Sequence, residues 1–214
     1  TVIVNCSASD ETIGKDTYRR ALISGQSARL ISGYIYANAG EGESTTDLVF
    51  GGHNIIAENG TILKESSRYV NEIIYSEIDL ERRKNTTFQP LDEETLVRVP
   101  FTVEETKTFL TRTFPKKPFV PSDEQTRAQR CEEILTIQAM GLKKRLAHTN
   151  ARTAVVGISG GLDSCLALLA AVRAMKKLGR PMTDILAVTM PCFGTTHRTR
   201  SNAEILCQEL GVSF

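Results

Sequence analysis

The sequence predicts an α/β protein in two parts, and three observations support this prediction. A β-branched run at 153–156 passes through a glycine-rich turn at 157–164 into a long apolar helical pattern, as in a parallel sheet with helical crossovers. Earlier in the chain, two strand patterns flank a helical pattern and precede an Asn-Gly hairpin signal at 59–60. Residues 88–122 contain several prolines and no sustained period, so we predict a connector there, between parts at 1–87 and 123–214.

Each element follows from a local pattern. Strands of the first part are predicted where β-branched and aromatic residues run together between turn signals. These are 1–5, 34–37, 54–57 and 61–63, with a further strand near 72–79. Apolar residues at helical spacing predict a helix within 14–33, and a short helix is expected at 80–83. The polar, glycine-rich run 40–47 is predicted as a loop.

The second part is predicted to begin with a helix that Asp123 opens. This helix leads to the strand at 153–158, and a helix follows from Ser164. Another strand is expected at 183–190, and 211–214 is predicted to end a helix and enter a further strand. Because both ends of the chain fall within strand patterns, we expect it to be an internal piece of a longer protein.

Composition excludes several classes of function. The 214 residues carry a net charge of +1, so no nucleic-acid or membrane partner is expected. The sequence has no long apolar stretch and no signal segment, which favours a cytoplasmic location. Its five cysteines show no CxxC spacing, so free thiols are predicted rather than disulfides or structural zinc.

The glycine-rich turn is the strongest chemical signal. A strand that passes through glycines into a helix N-terminus directs unpaired N–H groups at one point, where an anion binds. Asp163 stands where a Walker A loop has lysine, and a carboxylate among phosphates indicates Mg²⁺ between them. The candidate ATP-binding residues are Gly157, Ile158, Ser159, Gly160, Gly161, Leu162, Asp163 and Ser164, with Asp163 the candidate metal ligand.

The Ser-Gly-Gly-x-Asp-Ser pattern at 159–164 resembles the loop of the N-type ATP pyrophosphatases. Together with the segments 40–47, 190–196 and 199–203, it resembles glutamine-dependent NAD⁺ synthetase over the whole chain. The resemblance implies the C-terminal part of a nitrilase-like αββα glutaminase domain. It then implies the N-terminal part of a Rossmann-like synthetase domain, a parallel sheet with helices on both faces.

The resemblance also implies an activity. Glutamine hydrolysis would supply ammonia, and ATP would adenylate deamido-NAD⁺, which is then aminated to NAD⁺ with release of AMP and pyrophosphate. The implied cofactors are ATP and Mg²⁺, the partners are these small molecules, and the assembly is a homo-oligomer. The hydroxyls of Ser159 and Ser164 and the amides of residues 160–162 would hold the pyrophosphate.

On the glutaminase side, the resemblance assigns glutamine binding to Ser9 and Lys15, where relatives carry arginine in place of Lys15. The catalytic Cys, Glu and Lys of the family would lie upstream of this chain, so no catalytic residue is expected within it. Cys6 follows a strand as a nucleophile would, but the family's motif is absent around it, and we interpret Cys6 as structural.

Two alternatives remain open. The loop alone also fits another ATP pyrophosphatase, such as a GMP-synthetase-like or tRNA-modifying enzyme, and an inactive scaffold subunit is the second alternative.

Among other polar residues, we interpret His53 as a strand residue and His148 as a helix-end residue, and we place His197 near the entrance of the expected ATP site. The basic clusters at 116–117 and 143–145 are predicted as solvated faces. Packing roles are predicted for Cys131, Cys165, Cys192 and Cys207.

Overall fold

The computed structural model describes residues 1–44, 46–81, 100, 102, 104, 107, 114, 116–190 and 197–214, with backbone alone at 197–201. Across these ranges, no helix combines the length and apolar character needed to span a bilayer. The strands are β1 Val2–Ser7, β2 Gly33–Asn38, β3 Ile55–Glu58, β4 Thr61–Glu65, β5 Ala154–Gly157 and β6 Ile185–Val188. The α-helices are α1 Lys15–Leu30, α2 Glu124–His148, α3 Leu162–Lys177 and α4 His197–Leu210, and a 3₁₀ turn spans Met182–Asp184.

The first part of the chain forms one mixed sheet in the order β1-β2-β3-β4. Strands β1 and β2 are parallel and joined by α1, whereas β2, β3 and β4 pair antiparallel. The β3–β4 hairpin turns at Asn59 and Gly60, whose φ angles of 45° and 86° are both positive. This is the geometry for which Asn-Gly is favoured, and it confirms the hairpin predicted from the sequence.

Helix α1 covers one face of this sheet. Ile23 of α1 packs with Tyr36, Ile55 and Ala57, which form a buried cluster. Alternation along the strands points the other side chains to the opposite face. There Val4 of β1 is 63% exposed, and Cys6 is exposed as well.

The strand predicted near 72–79 does not form. Ile73 and Tyr75 are 92% and 87% exposed, and no described strand pairs with this segment. Ile78 instead packs on Gly33, where an added Cβ would lie 2.8 Å from the Ile78 side chain. The prediction was wrong because strand propensity is realised only where a neighbouring strand supplies hydrogen bonds and packing. The predicted helix at 80–83 is absent at 80–81, and residues 82–83 lie outside the described ranges.

The second part builds a parallel sheet. Strands β5 and β6 are parallel, and Ser213 bridges to Leu186 on the far side of β6. Helices α3 and α4 share one buried cluster with Ile185 and Ala187. The strand order is β5, β6 and then the Ser213 segment, so the connections through α3 and α4 step across the sheet in the same direction. Right-handed connections of this kind place both helices on the same face of the sheet. In the described part of the sheet, these helices cover one face, and Val155 on the other face is 65% exposed.

Helix α2 begins as predicted. The Asp123 carboxylate accepts hydrogen bonds from the N–H groups of Gln125 and Thr126, and the bond to Thr126 lowers the pKa of Asp123. This is an N-cap, which satisfies donors that a helix start leaves unpaired. Along its length α2 packs against α3, and Arg173 of α3 makes a two-point ion pair with Glu132 of α2.

Candidate functional site

The glycine-rich turn connects β5 to α3. Gly160 has φ +79°, a conformation that glycine adopts without steric cost, and Gly161 is the N-cap of α3. Within the described ranges, no side chain caps this helix start. The N–H groups of Leu162, Asp163 and Ser164 in the first turn are therefore available, and the helix dipole adds partial positive charge there. The arrangement fits an anionic ligand such as a phosphate group.

Two serine hydroxyls hold the shape of this turn. The Ser164 Oγ donates to the Gly161 carbonyl at 3.0 Å and accepts from the Ser159 N–H at 3.3 Å. The Ser159 Oγ accepts from the Gly161 N–H at 3.3 Å and lies 3.2 Å from the Ser164 Oγ. The turn is thus organised by its own side chains, and the Gly161 N–H points inward to Ser159.

Asp163 occupies the second position of α3 with its side chain exposed. An acidic residue here also stabilises the helix N-terminus, independently of any metal. Across the described ranges, no group of three His, Cys, Asp or Glu side chains is arranged to hold a metal ion. The predicted segment at 191–196 lies outside the described ranges, and of His197 only the backbone is described, at the start of α4.

Ser9 lies on the segment that joins β1 to α1, and Lys15 is the first residue of α1. The Asn38 side chain holds Ser9 by two hydrogen bonds to its backbone, at 2.9 and 3.0 Å. Lys15 Nζ lies 2.5 Å from Asp10 Oδ1, and this hydrogen bond lowers the pKa of Asp10. Both side chains of the pair are partly exposed, at 25% and 35%.

A buried polar network lies beside this segment, and the sequence interpretation missed it. Arg19 of α1 is 2% exposed and lies 2.9 Å from Glu11 Oε1, in an ion pair whose angle falls short of a hydrogen bond. Arg19 also donates to His53 Nδ1 at 2.7 Å. His53 Nε2 therefore carries the ring proton and donates to Glu65 at 2.5 Å.

His53 is fully buried and lies before β3, so its interpretation as a strand residue was wrong. Burial lowers the pKa of His53, which agrees with a neutral ring. The sequence did contain a signal. Arg19 lies four positions before Ile23 and shares its buried helix face, and a charged residue on a core-facing stripe needs a buried partner.

Arg68 and Glu133 extend the network to α2. Arg68 lies 3.3 Å from Glu11 and 2.7 Å from Glu133 of α2. Burial by itself would lower the pKa of Arg68, but the hydrogen bond to Glu133 and the nearby carboxylates raise it. The other Glu133 oxygen accepts the Gly14 N–H at 3.1 Å. The two parts of the chain are thus joined by charged hydrogen bonds.

A second junction joins α2 to the loop at 40–47. Lys143 forms an ion pair with Glu41, and Arg145 donates to the Thr46 carbonyl and contacts Asp47. Lys143 is only 21% exposed. The prediction that 143–145 forms a solvated face was therefore wrong for Lys143, because the fold supplies an acidic partner that sequence spacing does not show. Arg145 remains 51% exposed.

The described cysteines fall into three environments. Cys207 is buried, which confirms its packing role, and burial raises the pKa of its thiol. Cys165 is partly buried, whereas Cys131 is exposed on α2, so its predicted packing role was wrong. Cys192 lies outside the described residues.

We expect Gly51→Ala to destabilise the protein by about 1–3 kcal/mol, the usual cost of overpacking. An added Cβ would lie 2.7 Å from the Glu11 carboxylate, which is buried and cannot swing into solvent. Urea denaturation measures the effect, with Gly25→Ala as the control. Beyond its chain neighbours and the backbone of α1, no atom lies within 4 Å of the Cβ added at Gly25, so this variant should keep or slightly raise the midpoint. Equal midpoints for Gly51→Ala and the parent protein would contradict the tight contact.

A parallel βα unit whose glycine-rich turn fits an anionic ligand defines the class of this protein, and a family model specifies it further. The model described as NAD synthase matches residues 134–214, a range that includes the whole turn. The matched range also contains β5, β6 and the two helices that pack on them.

Relatives identify the family. The chain is 42% identical to the glutamine-dependent NAD(+) synthetase of Mycobacterium leprae and 41% identical to that of Mycobacterium tuberculosis, each over 100% of the chain and 34% of the relative. It aligns with a structure of the glutamine-dependent NAD⁺ synthetase of Acinetobacter baumannii in complex with ADP. That match has a TM-score of 0.70 and 20% identity, over 100% of the chain and 33% of that structure. The chain belongs to the glutamine-dependent NAD⁺ synthetase family, which confirms the resemblance, and it spans about a third of these relatives' length.

Proposed function

We propose that the full-length protein carrying this chain makes NAD⁺ from deamido-NAD⁺, with ATP and with ammonia from glutamine. An adenylated intermediate would form, and AMP and pyrophosphate would be released. The observation that supports this most directly is the uncapped N-terminus of α3, with its three available N–H groups, in a chain 42% identical to a glutamine-dependent NAD⁺ synthetase.

We propose that the two sheets belong to two domains. Residues 1–87 would be the C-terminal part of a nitrilase-like αββα glutaminase, 88–122 the connector, and 123–214 the N-terminal part of a Rossmann-like synthetase. Support comes from the separate hydrophobic core beside each sheet and from the exposed apolar face of β1, which suits a second layer. The glutaminase nucleophile and its partners would lie outside this chain.

The ATP site would be the glycine-rich turn at 157–164, the phosphate turn. The N–H groups of Leu162, Asp163 and Ser164 would bind phosphate oxygens, while the serine hydroxyls keep the turn in shape. The exposed Asp163 carboxylate is an oxygen ligand of the type that Mg²⁺ prefers, so the residues present fit this cation. Mg²⁺ bound there would offset negative charge on the pyrophosphate. This chain contributes positioning and charge rather than a nucleophile.

The glutamine site would include Ser9 and Lys15. Lys15 carries an ammonium group on a partly exposed side chain beside the buried network, and its charge suits the α-carboxylate of glutamine. Ser9 is clamped by Asn38, so its position is defined before substrate binds. We also propose that the enzyme assembles as a homo-oligomer.

The test of the proposed function is the product formed by the full-length protein from ATP, Mg²⁺, deamido-NAD⁺ and either ammonia or glutamine. AMP and NAD⁺ from both nitrogen sources would support the proposal. AMP formed only with another acceptor would move the protein to a sister ATP pyrophosphatase. No AMP with any acceptor would favour an inactive scaffold.

Replacing Lys15 with methionine is expected to raise the KM for glutamine by about tenfold to a hundredfold, the loss of one charge-assisted hydrogen bond. Ammonia-dependent NAD⁺ synthesis should keep its rate, because the phosphate turn is unchanged. Steady-state kinetics with each nitrogen source measure both values. Lys64→Met, which removes an exposed lysine from β4, is the matched control.

Cys6→Ala should retain glutamine hydrolysis, because we interpret Cys6 as structural. Loss of glutamine hydrolysis in a folded Cys6→Ala variant would contradict this structural role.

A further inference from the structure

Helix α1 begins without a capping side chain of its own. Its N-cap is Gly14, with φ +76°, and no side-chain hydrogen bond comes from this residue. The acceptor is supplied from a distant part of the chain, since Glu133 Oε2 of α2 accepts the Gly14 N–H at 3.1 Å. A carboxylate at this position also interacts favourably with the positive end of the helix dipole.

The Glu133 carboxylate is held on its other side too. Its Oε1 accepts a hydrogen bond from Arg68 at 2.7 Å, and the Glu133 side chain is 10% exposed. Arg68 in turn lies 3.3 Å from Glu11 and 3.8 Å from Asp16. Because both oxygens are engaged, Glu133 cannot shift without moving the Gly14 backbone or the Arg68 guanidinium.

This carboxylate therefore determines where the next residue of the chain lies. Lys15 follows Gly14 directly and reaches Asp10 at 2.5 Å. In the other direction, the part of α2 from Glu133 to its end at His148 is roughly 22 Å long, at about 1.5 Å per residue. Residues 149–153 then lead into β5 and the phosphate turn. One rigid helix thus connects the Lys15 segment with the strand that supports the phosphate turn.

We propose that Glu133 is a positioning residue for glutamine binding, which acts by holding Gly14 and so placing the Lys15 ammonium. This inference rests on the proposed function, since it takes Lys15 as part of the glutamine site. Glu133 itself touches neither the phosphate turn nor its serine hydroxyls in the described contacts. Its loss should therefore affect glutamine use and leave ammonia use intact.

The test is Glu133→Gln in the full-length protein. The amide keeps one acceptor oxygen but loses the charge and the second acceptor, so the KM for glutamine should rise by about tenfold. The kcat at saturating glutamine and the ammonia-dependent rate should stay within about twofold of the parent, a split that general loss of structure does not produce. Glu133→Asp keeps the charge but is too short to hold both partners, and it should give a smaller rise.

Glu132→Gln is the matched control. Glu132 is the adjacent carboxylate on the same helix, but it pairs with Arg173 of α3 and not with the first part of the chain. It should leave the KM for glutamine unchanged. An equal rise in both variants would overturn the positioning role, and so would loss of ammonia-dependent synthesis in Glu133→Gln.

Failure of this inference is distinguishable from failure of the proposed function. If Lys15→Met raises the KM for glutamine and Glu133→Gln does not, the glutamine site stands and the positioning role of Glu133 is wrong. If neither variant changes this KM in an active enzyme, the assignment of Lys15 is wrong and the inference falls with it.

Discussion

Replacing Asp163 with alanine in the full-length protein is expected to reduce AMP formation by at least about a hundredfold, the scale on which electrostatic groups at a reacting centre contribute. The change removes the acidic side chain in the first turn of α3, where the three available N–H groups lie. Without it, the proposed Mg²⁺ would lose a ligand, and charge on the pyrophosphate would be less well balanced. AMP release under saturating ATP, deamido-NAD⁺ and ammonia measures the effect.

Two variants make this result specific. Asp163→Asn retains the size of the side chain and removes its charge, so it should lose most of the activity as well. Glu209→Ala removes an exposed carboxylate near the end of α4 and should remain fully active. AMP formation within about threefold of the parent in Asp163→Ala would remove Asp163 from the site, because groups at the reacting centre contribute far more.

Replacing Arg19 with methionine is expected to lower the free energy of unfolding by about 3–5 kcal/mol, the cost of leaving one member of a buried ion pair uncompensated. The Glu11 carboxylate, with a side chain 0% exposed, would retain only the more distant Arg68 among its recorded ion-pair partners. His53 Nδ1 would lose its donor at the same time. The midpoint of urea denaturation measures this change.

The comparison that identifies the cause is a double variant. Arg19→Met combined with Glu11→Leu removes both charges, so it should recover part of the lost stability. Arg29→Met removes an exposed arginine from the last turn of the same helix and should cost less than about 1 kcal/mol. A midpoint for Arg19→Met that matches Arg29→Met would show that the buried pair contributes little.

Elements with a complete local signal were predicted from the sequence. The hairpin is specified by two residues whose backbone conformations are favoured at the turn itself, Asn59 and Gly60. The start of α2 is specified by Asp123, whose side chain bonds to N–H groups two and three residues later. The glycine-rich turn is specified by a strand, glycines and a helix start within twelve residues, 153–164. In each case, the interacting groups are neighbours in sequence.

Elements that depend on distant partners were not predicted. Residues 72–79 have strand-forming composition, but no described strand pairs with them to form a ladder. The Arg19–Glu11 pair and its His53 contact join residues up to 34 positions apart. Lys143 lies 102 positions from Glu41, so spacing along α2 alone does not reveal that it is paired.

The sequence by itself determined the α/β class, the two sheets, the glycine-rich turn between β5 and α3, and the family to which the chain belongs. Tertiary structure alone decided that Glu133 caps a helix 119 positions away and that Arg19 and His53 are buried together. The physical reason lies in the range of the interactions. Backbone conformation and helix capping act between neighbours, whereas a buried charge is stabilised by whichever partner the folded chain brings within hydrogen-bond distance.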